Sequence, residues 1–205
     1  MSLKNTLKKM LEEKDFAGIV QLGIQKRSTL KYLQVFLYDL NSVLTWRAIE
    51  ALGLVCGSIS QQKPELVRDI IRRFFWSLND ESGGTPWSSA QVIGEIIRHN
   101  PKEYQNFISN LACFLEDENI RGYVLWALGR IALKAPELIE EYIPEIEQFL
   151  NSKDQTIKGF AAFALHSIGT PEAKEALQKI EKKDDMFSIY LDGELQKKRI
   201  KEFCL

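Results

Sequence analysis

Two stretches of this chain can be laid on each other. "NIRGYVLWALGRIA" (119–132) and "TIKGFAAFALHSIG" (156–169) match at Ile120 and Ile157, Arg121 and Lys158, Gly122 and Gly159, Tyr123 and Phe160, and Trp126 and Phe163, with a shared Ala-Leu pair after them. The offset from Ile120 to Ile157 is 37 residues. Upstream, "WRAIEALG" (46–53) and "WSSAQVIG" (87–94) each set a Gly seven residues after a Trp, and the steps from Gly53 to Gly94 and from Gly94 to Gly129 are 41 and 35 residues. A segment that recurs at such a period is one supersecondary unit stacked several times.

Three of these segments are followed by a turn, a proline and a second apolar pattern: "KPELVRDIIRRFFWSL", "NPKEYQNFISNLACFL" and "APELIEEYIPEIEQFL". Pro64, Pro101 and Pro136 suit the first turn of a helix, where the missing N–H has no intrahelical partner anyway. Leu66, Ile70, Ile71, Phe74 and Leu78 recur at helical spacing, and no segment before the C-terminus alternates with period two. The unit reads as helix, turn, helix, turn, and the whole as an all-α solenoid of about four helix pairs.

On these residues the chain resembles the HEAT-repeat proteins, in particular the short bacterial type grouped with the phycobilin-lyase-like repeats. The resemblance covers residues 28–169 and implies a right-handed, armadillo-like superhelix. Asn41, Asp117 and Asp154 stand twelve residues before the small residue of the second helix, and Arg121 and Lys158 stand eight before it. They resemble the family's ladder of acidic and basic residues, which would staple the turns of adjacent units. Pro144 resembles the family's outer-helix kink. Thr45, Pro86 and His166 depart from the pattern.

An open solenoid needs caps, because its end helices would otherwise expose apolar faces. Residues 1–27 hold two amphipathic patterns and read as an N-terminal cap. The repeats then occupy about 28–57, 64–98, 101–134 and 136–169, and residues 170–205 form a C-terminal cap. In that cap a helix starts at Thr170-Pro171, after which Phe187, Ile189 and Leu191 alternate with polar or amphipathic residues up to Asp192-Gly193, the preferred dipeptide of a type I′ turn. A small β-hairpin leaning on the last unit is the expectation.

Composition narrows the function. Twenty-seven basic against twenty-eight acidic residues give a net charge of −1, and Arg68, Arg72, Arg73 and Arg98 are interleaved with acids, which argues against a nucleic-acid groove. His99 and His166 lie in different units without His-Glu or HxxxH spacing, so no metal site, cofactor or catalytic residue is expected. Cys56, Cys113 and Cys204 are unpaired in sequence, and neither a signal peptide nor a membrane span is apparent; the protein reads as cytoplasmic.

What remains is a non-catalytic scaffold or adaptor that binds a protein partner. Two other readings stand beside it: a nucleic-acid-binding HEAT-like protein of the alkylpurine-glycosylase type, and a small-ligand or cofactor-lyase-like enzyme. Helical spacing puts Tyr123, Trp126 and Arg130 on one face of the third inner helix, with Arg47 and Glu50, Gln91 and Glu95, and Phe160 and Phe163 at the equivalent positions. That stripe runs from charged to aromatic and has the composition of a binding hot spot, so it is expected to line a concave groove. The competing reading makes the aromatics core, covered by the hairpin through Phe187 and Tyr190. A second expected contact is the enlarged turn at 79–86, where Asn79, Asp80 and Glu81 precede Gly83-Gly84.

Overall fold

The computed structural model describes residues 2–79, 88–180 and 184–204. Two helices open the chain, α1 (Leu3–Glu12) and α2 (Phe16–Gln25), followed by α3 (Ser28–Gln34), α4 (Val43–Ser60), α5 (Pro64–Leu78) and α6 (Ser89–His99). After them come α7 (Pro101–Tyr104), α8 (Ile108–Ala112), α9 (Arg121–Ala132), α10 (Ile143–Glu147), α11 (Gln155–Ile168) and α12 (Pro171–Gln178). The strands β1 (Met186–Leu191) and β2 (Glu194–Arg199) follow. Helix starts are set by side chains that accept otherwise orphaned N–H groups: Ser2 from Asn5, Asp15 from Gly18, Asp154 from Thr156 and Ile157, Thr170 from Ala173. Pro64, Pro101 and Pro171 occupy first turns, as their missing N–H favours.

Four long helices stand in a row, α4 beside α6, α6 beside α9 and α9 beside α11, and α2 flanks α4 on its other side. Their close approach explains the glycines of the repeat. A methyl built on Gly94 would lie 2.5 Å from Cβ of Ala127 on the next helix, and one on Gly129 would lie 2.6 Å from the Phe163 ring. Only glycine lets these backbones meet at that separation. A single apolar cluster runs from Leu7 through the row to Phe203.

Between the members of the row lie outer segments, and two of these are less regular than their periodicity implies. Residues 101–116 split into α7 and α8 separated and followed by 3₁₀ turns, and residues 136–151 hold 3₁₀ turns around the short α10. In the fourth unit the cause is Pro144, which falls in the first turn of α10. The helix therefore restarts at the proline instead of kinking through it. In the third unit the run Asn106-Phe107-Ile108-Ser109-Asn110 is built of weak helix formers.

The acid and base ladder between units is not formed among the described residues. Asp117 accepts from the backbone of Asn119 and Asp154 caps α11, so each acid closes its own turn. Arg121 donates to the carbonyls of Leu115 and Glu116 in its own unit, and Lys158 pairs with Asp185 at 2.9 Å.

β1 and β2 pair antiparallel from Met186 opposite Arg199 to Leu191 opposite Glu194. Asp192 and Gly193 both have positive φ, 53° and 79°, as a type I′ turn requires. α4 is long and apolar enough by length and composition to cross a membrane, yet 61% of it is buried within the fold. It also carries Arg47, which bonds both α1 and the hairpin, and Glu50, which accepts from Tyr190.

Candidate functional site

The face expected from spacing, Arg47 and Glu50 on α4, Gln91 and Glu95 on α6, Trp126 and Arg130 on α9, and Phe160 and Phe163 on α11, is carried by helices that stand side by side. That face is not an open groove. Trp126 is fully buried, Phe160 and Phe163 are each 2% exposed, Gln91 and Glu95 are fully buried, and Arg130 and Arg47 are nearly so. Only Glu50 and Tyr123 are half-buried. The expectation of an open, partner-lined groove is corrected: residues 187–203 of the chain pack against this stripe and bury it.

The hairpin supplies aromatic partners one by one. Phe187 meets Phe160 edge-on at 5.9 Å between ring centres, and Phe203 meets Phe163 in the same manner at 5.8 Å. Tyr190 stacks on Trp46 at 5.7 Å, and Trp46 meets Trp126 edge-on at 5.0 Å. Such ring pairs add to what area burial alone contributes. Gly159 makes room for this, since a methyl there would lie 2.3 Å from the Phe187 ring. The competing reading, in which Phe187 and Tyr190 cover the stripe, describes the geometry, with Phe203 as an unforeseen third.

Two polar clusters lie within this interface. In the first, Arg130 on α9 pairs with Glu95 on α6, Arg98 reaches the other carboxylate oxygen at 3.2 Å, and His99 Nε2 lies 3.7 Å from it. The Arg130 guanidinium also sits 5.3 Å over the Trp126 ring. Burial disfavours the charge on Glu95, but Arg130 and Arg98 outweigh it and hold the carboxyl below the usual carboxylate range. Burial, reinforced by the cations of Arg98, Arg130 and Lys134 against the pull of Glu95, lowers the basicity of His99. Among the described residues, His99 Nε2 and Trp126 Nε1 are buried without a hydrogen-bond partner.

The second cluster surrounds Arg47. Its Nε donates to the Gly193 carbonyl at 2.8 Å, Nη1 to the carbonyls of Leu11 and Glu12 at 3.1 Å each, and Nη2 to the Glu194 carboxylate at 3.0 Å. Lys14 pairs with the same carboxylate. Nearby, the Tyr190 hydroxyl donates to Glu50; burial and that carboxylate push its pKa far above the ordinary phenol value.

Chemically, the carboxylates of both clusters are already engaged. Each buried carboxylate has a cation or a hydroxyl as partner, and among the described residues no group of three or more His, Cys, Asp or Glu side chains could hold a metal ion. Cys56 lies in the core, where burial pushes its thiol up to about 12, so it stays protonated. Cys113 is exposed and likewise unpaired.

Of the turn residues, Asn79 is exposed and donates from Nδ2 to the Phe75 carbonyl at 2.9 Å, closing the end of α5. Asp80 and Glu81 lie outside the described residues. Beside Asn79, Trp76 is 77% exposed, the most open of the large apolar side chains described, and Tyr38 follows at 67%. Both precede a helix of the inner row, and the two connections touch, because Ser88 Oγ donates to the Leu37 carbonyl at 2.8 Å. Sequence periodicity marked neither residue. The signal was present at Trp76, which falls off the apolar stripe of Ile70, Ile71 and Phe74.

No family model matches the chain. An uncharacterized protein of Archaeoglobus fulgidus is 28% identical over 179 residues, covering 84% of this chain and 92% of its own. Among solved structures, the crystal structure of an engineered protein is similar with a TM-score of 0.52 and 17% identity, over 90% of this chain and 91% of that one. That likeness concerns the fold alone.

Proposed function

We propose that the chain is a right-handed HEAT-like solenoid whose concave face is filled by its own hairpin, and that it serves as a non-catalytic scaffold for a protein partner in the cytoplasm. The partner docks on the edge where the outer segments turn into α4 and α6. The observation that carries this reading is the exposure of Trp76 beside the polar Asn79. A large aromatic in water next to hydrogen-bonding groups has the character of an interface anchor, and Tyr38, exposed just before α4, adds a second. The row of inner helices with glycine contacts at equivalent positions supports the solenoid, and the unpaired thiols of Cys56 and Cys113 suit a reducing compartment.

The test is affinity capture from the source cells with the full-length chain and with the Trp76→Gln, Tyr38→Gln pair, after matched melting curves confirm that both fold. A protein retained by the first and lost from the second, and then reconstituted with purified components, is the expected result. Identical retention by both, or retention of nucleic acid alone, would overturn the reading.

A further inference from the structure

The hairpin does more than fill the concave face; it reaches from one end of the chain to the other. Its base is fixed at the last unit, where Lys158 on α11 pairs with Asp185 and Phe187 packs over Gly159 onto Phe160. Its tip lies at the first, where Gly193 abuts Lys14 and Phe16 in the link between α1 and α2. At that tip, the four acceptors of Arg47 come equally from the two ends. Leu11 and Glu12 offer carbonyls from the last turn of α1, where helical carbonyls run out of intrahelical donors. Gly193 and Glu194 offer the turn carbonyl and the carboxylate of the hairpin.

We propose that Arg47 makes the N-terminal helix α1 and the C-terminal hairpin one docking unit, so that neither end loosens without the other. The side chain of Arg47 is only 8% exposed. If the hairpin tip leaves, the guanidinium loses its carboxylate and one of three carbonyls while still enclosed. A buried cation without its counter-charge is strongly disfavoured, so the side chain must swing toward water and abandon Leu11 and Glu12 as well. When α1 leaves, Arg47 loses two carbonyls and Glu194 loses the Lys14 cation that follows α1, so the hairpin tip is left with only part of its polar contacts. Lys14 strengthens the link, because it follows α1 and shares the Glu194 carboxylate. A repeat array with independent ends frays from either one; this array is strapped end to end, which keeps its outer edge rigid. The inference stands apart from the scaffold reading and needs no partner.

Amide hydrogen exchange on the full chain tests it. Phe187→Ala loosens the hairpin at its base, at the opposite end of the strands from Arg47. The expected result is faster exchange in residues 186–199 and, by a comparable factor of roughly tenfold, in residues 9–13 of α1, while α5 keeps its wild-type rate. In an Arg47→Met background, adding Phe187→Ala should quicken the hairpin and leave α1 unchanged. Should Phe187→Ala fail to fold, Tyr190→Phe, which keeps the ring and removes only the bond to Glu50, gives the same comparison. Faster hairpin exchange with α1 at its wild-type rate would overturn the coupling. An α1 response that persists in the Arg47→Met background would show that Arg47 does not carry it.

Discussion

Arg130 and Glu95 pair across two neighbouring helices of the inner row, both with less than a twentieth of their side chains exposed. They also occupy equivalent positions of successive units, 35 residues apart. Arg130 lies over the Trp126 ring and Glu95 is fully buried, so neither partner turns readily to water when the other is removed. Glu95→Leu should therefore cost about 3–5 kcal/mol by stranding the guanidinium, and Arg130→Met less, because Arg98 still holds the other carboxylate oxygen. The double replacement should cost less than the sum of the two, because it leaves no uncompensated charge. Chemical denaturation of the four proteins measures this, and strict additivity would show that the two side chains do not act as a pair.

Acid should weaken the fold in two stages. Glu95 has a folded pKa below its ordinary 4.5, so the stability it contributes is present above that value and is lost as pH falls through the lower folded value. His99 also has a folded pKa below its ordinary 6.5, so its contribution is complete above pH 6.5 and begins to decline below it. Both slopes have the same sign. Melting temperatures of the wild type should fall from about pH 6.5 downward, and His99→Gln should flatten the curve between there and the carboxylate range while leaving the acid limb in place. An unchanged profile in the variant would remove His99 from the account.

Removing residues 184–205 should leave a chain that melts far lower and aggregates. Phe187, Ile189, Tyr190, Ile200 and Phe203 are buried, and each large side chain withdrawn from water is worth about 1.5–3 kcal/mol. Truncation would also expose Trp126, Phe160 and Phe163. Tyr190→Phe isolates the polar part: the stack on Trp46 stays, and loss of the hydroxyl that serves the Glu50 carboxylate should cost about 1.5–3 kcal/mol. Equal melting of the truncated and full-length chains would mean that the hairpin contributes nothing to the array.

Local chemistry made much of this legible. The inner helices announce themselves through the recurring Trp, Ala-Leu and Gly positions, and the turn of the hairpin through Asp192-Gly193. The stripe of Trp126, Phe160 and Phe163 was found as a stripe, but helical spacing says which residues share a face and not what lies opposite. What lies opposite is a segment that begins more than twenty residues later. Arg47 enters the expected groove as the positional equivalent of Tyr123. Its partners are backbone carbonyls at Leu11, Glu12 and Gly193, and no side-chain pattern encodes them. Glu95 and Arg130 were within reach, since opposite charges at equivalent positions of adjacent units face each other when the helices stand side by side. The exposure of Trp76 and Tyr38 has no periodic signature, because Trp76 lies off the apolar stripe of its helix and Tyr38 lies between helices.

Gly122 and Gly159 offer a matched comparison, because they are equivalent positions in successive units with opposite surroundings. A methyl on Gly122 would find Ile157 at 3.5 Å and Phe160 at 3.8 Å, which is ordinary contact. Gly122→Ala should therefore stabilise the chain by about 0.5–1 kcal/mol, the difference in helix preference between the two residues. A methyl on Gly159 would sit between 2.3 and 2.5 Å from three carbons of the Phe187 ring. The ring is boxed in by Phe160 and Phe203, so it cannot retreat without lifting the hairpin. Gly159→Ala should destabilise by about 1–3 kcal/mol, the usual cost of overpacking, and should speed exchange in β1 ahead of α11. Thermal unfolding of the two variants beside the wild type reads both signs at once. A common sign would show that helix preference, and not the hairpin lying against α11, decides what these positions tolerate.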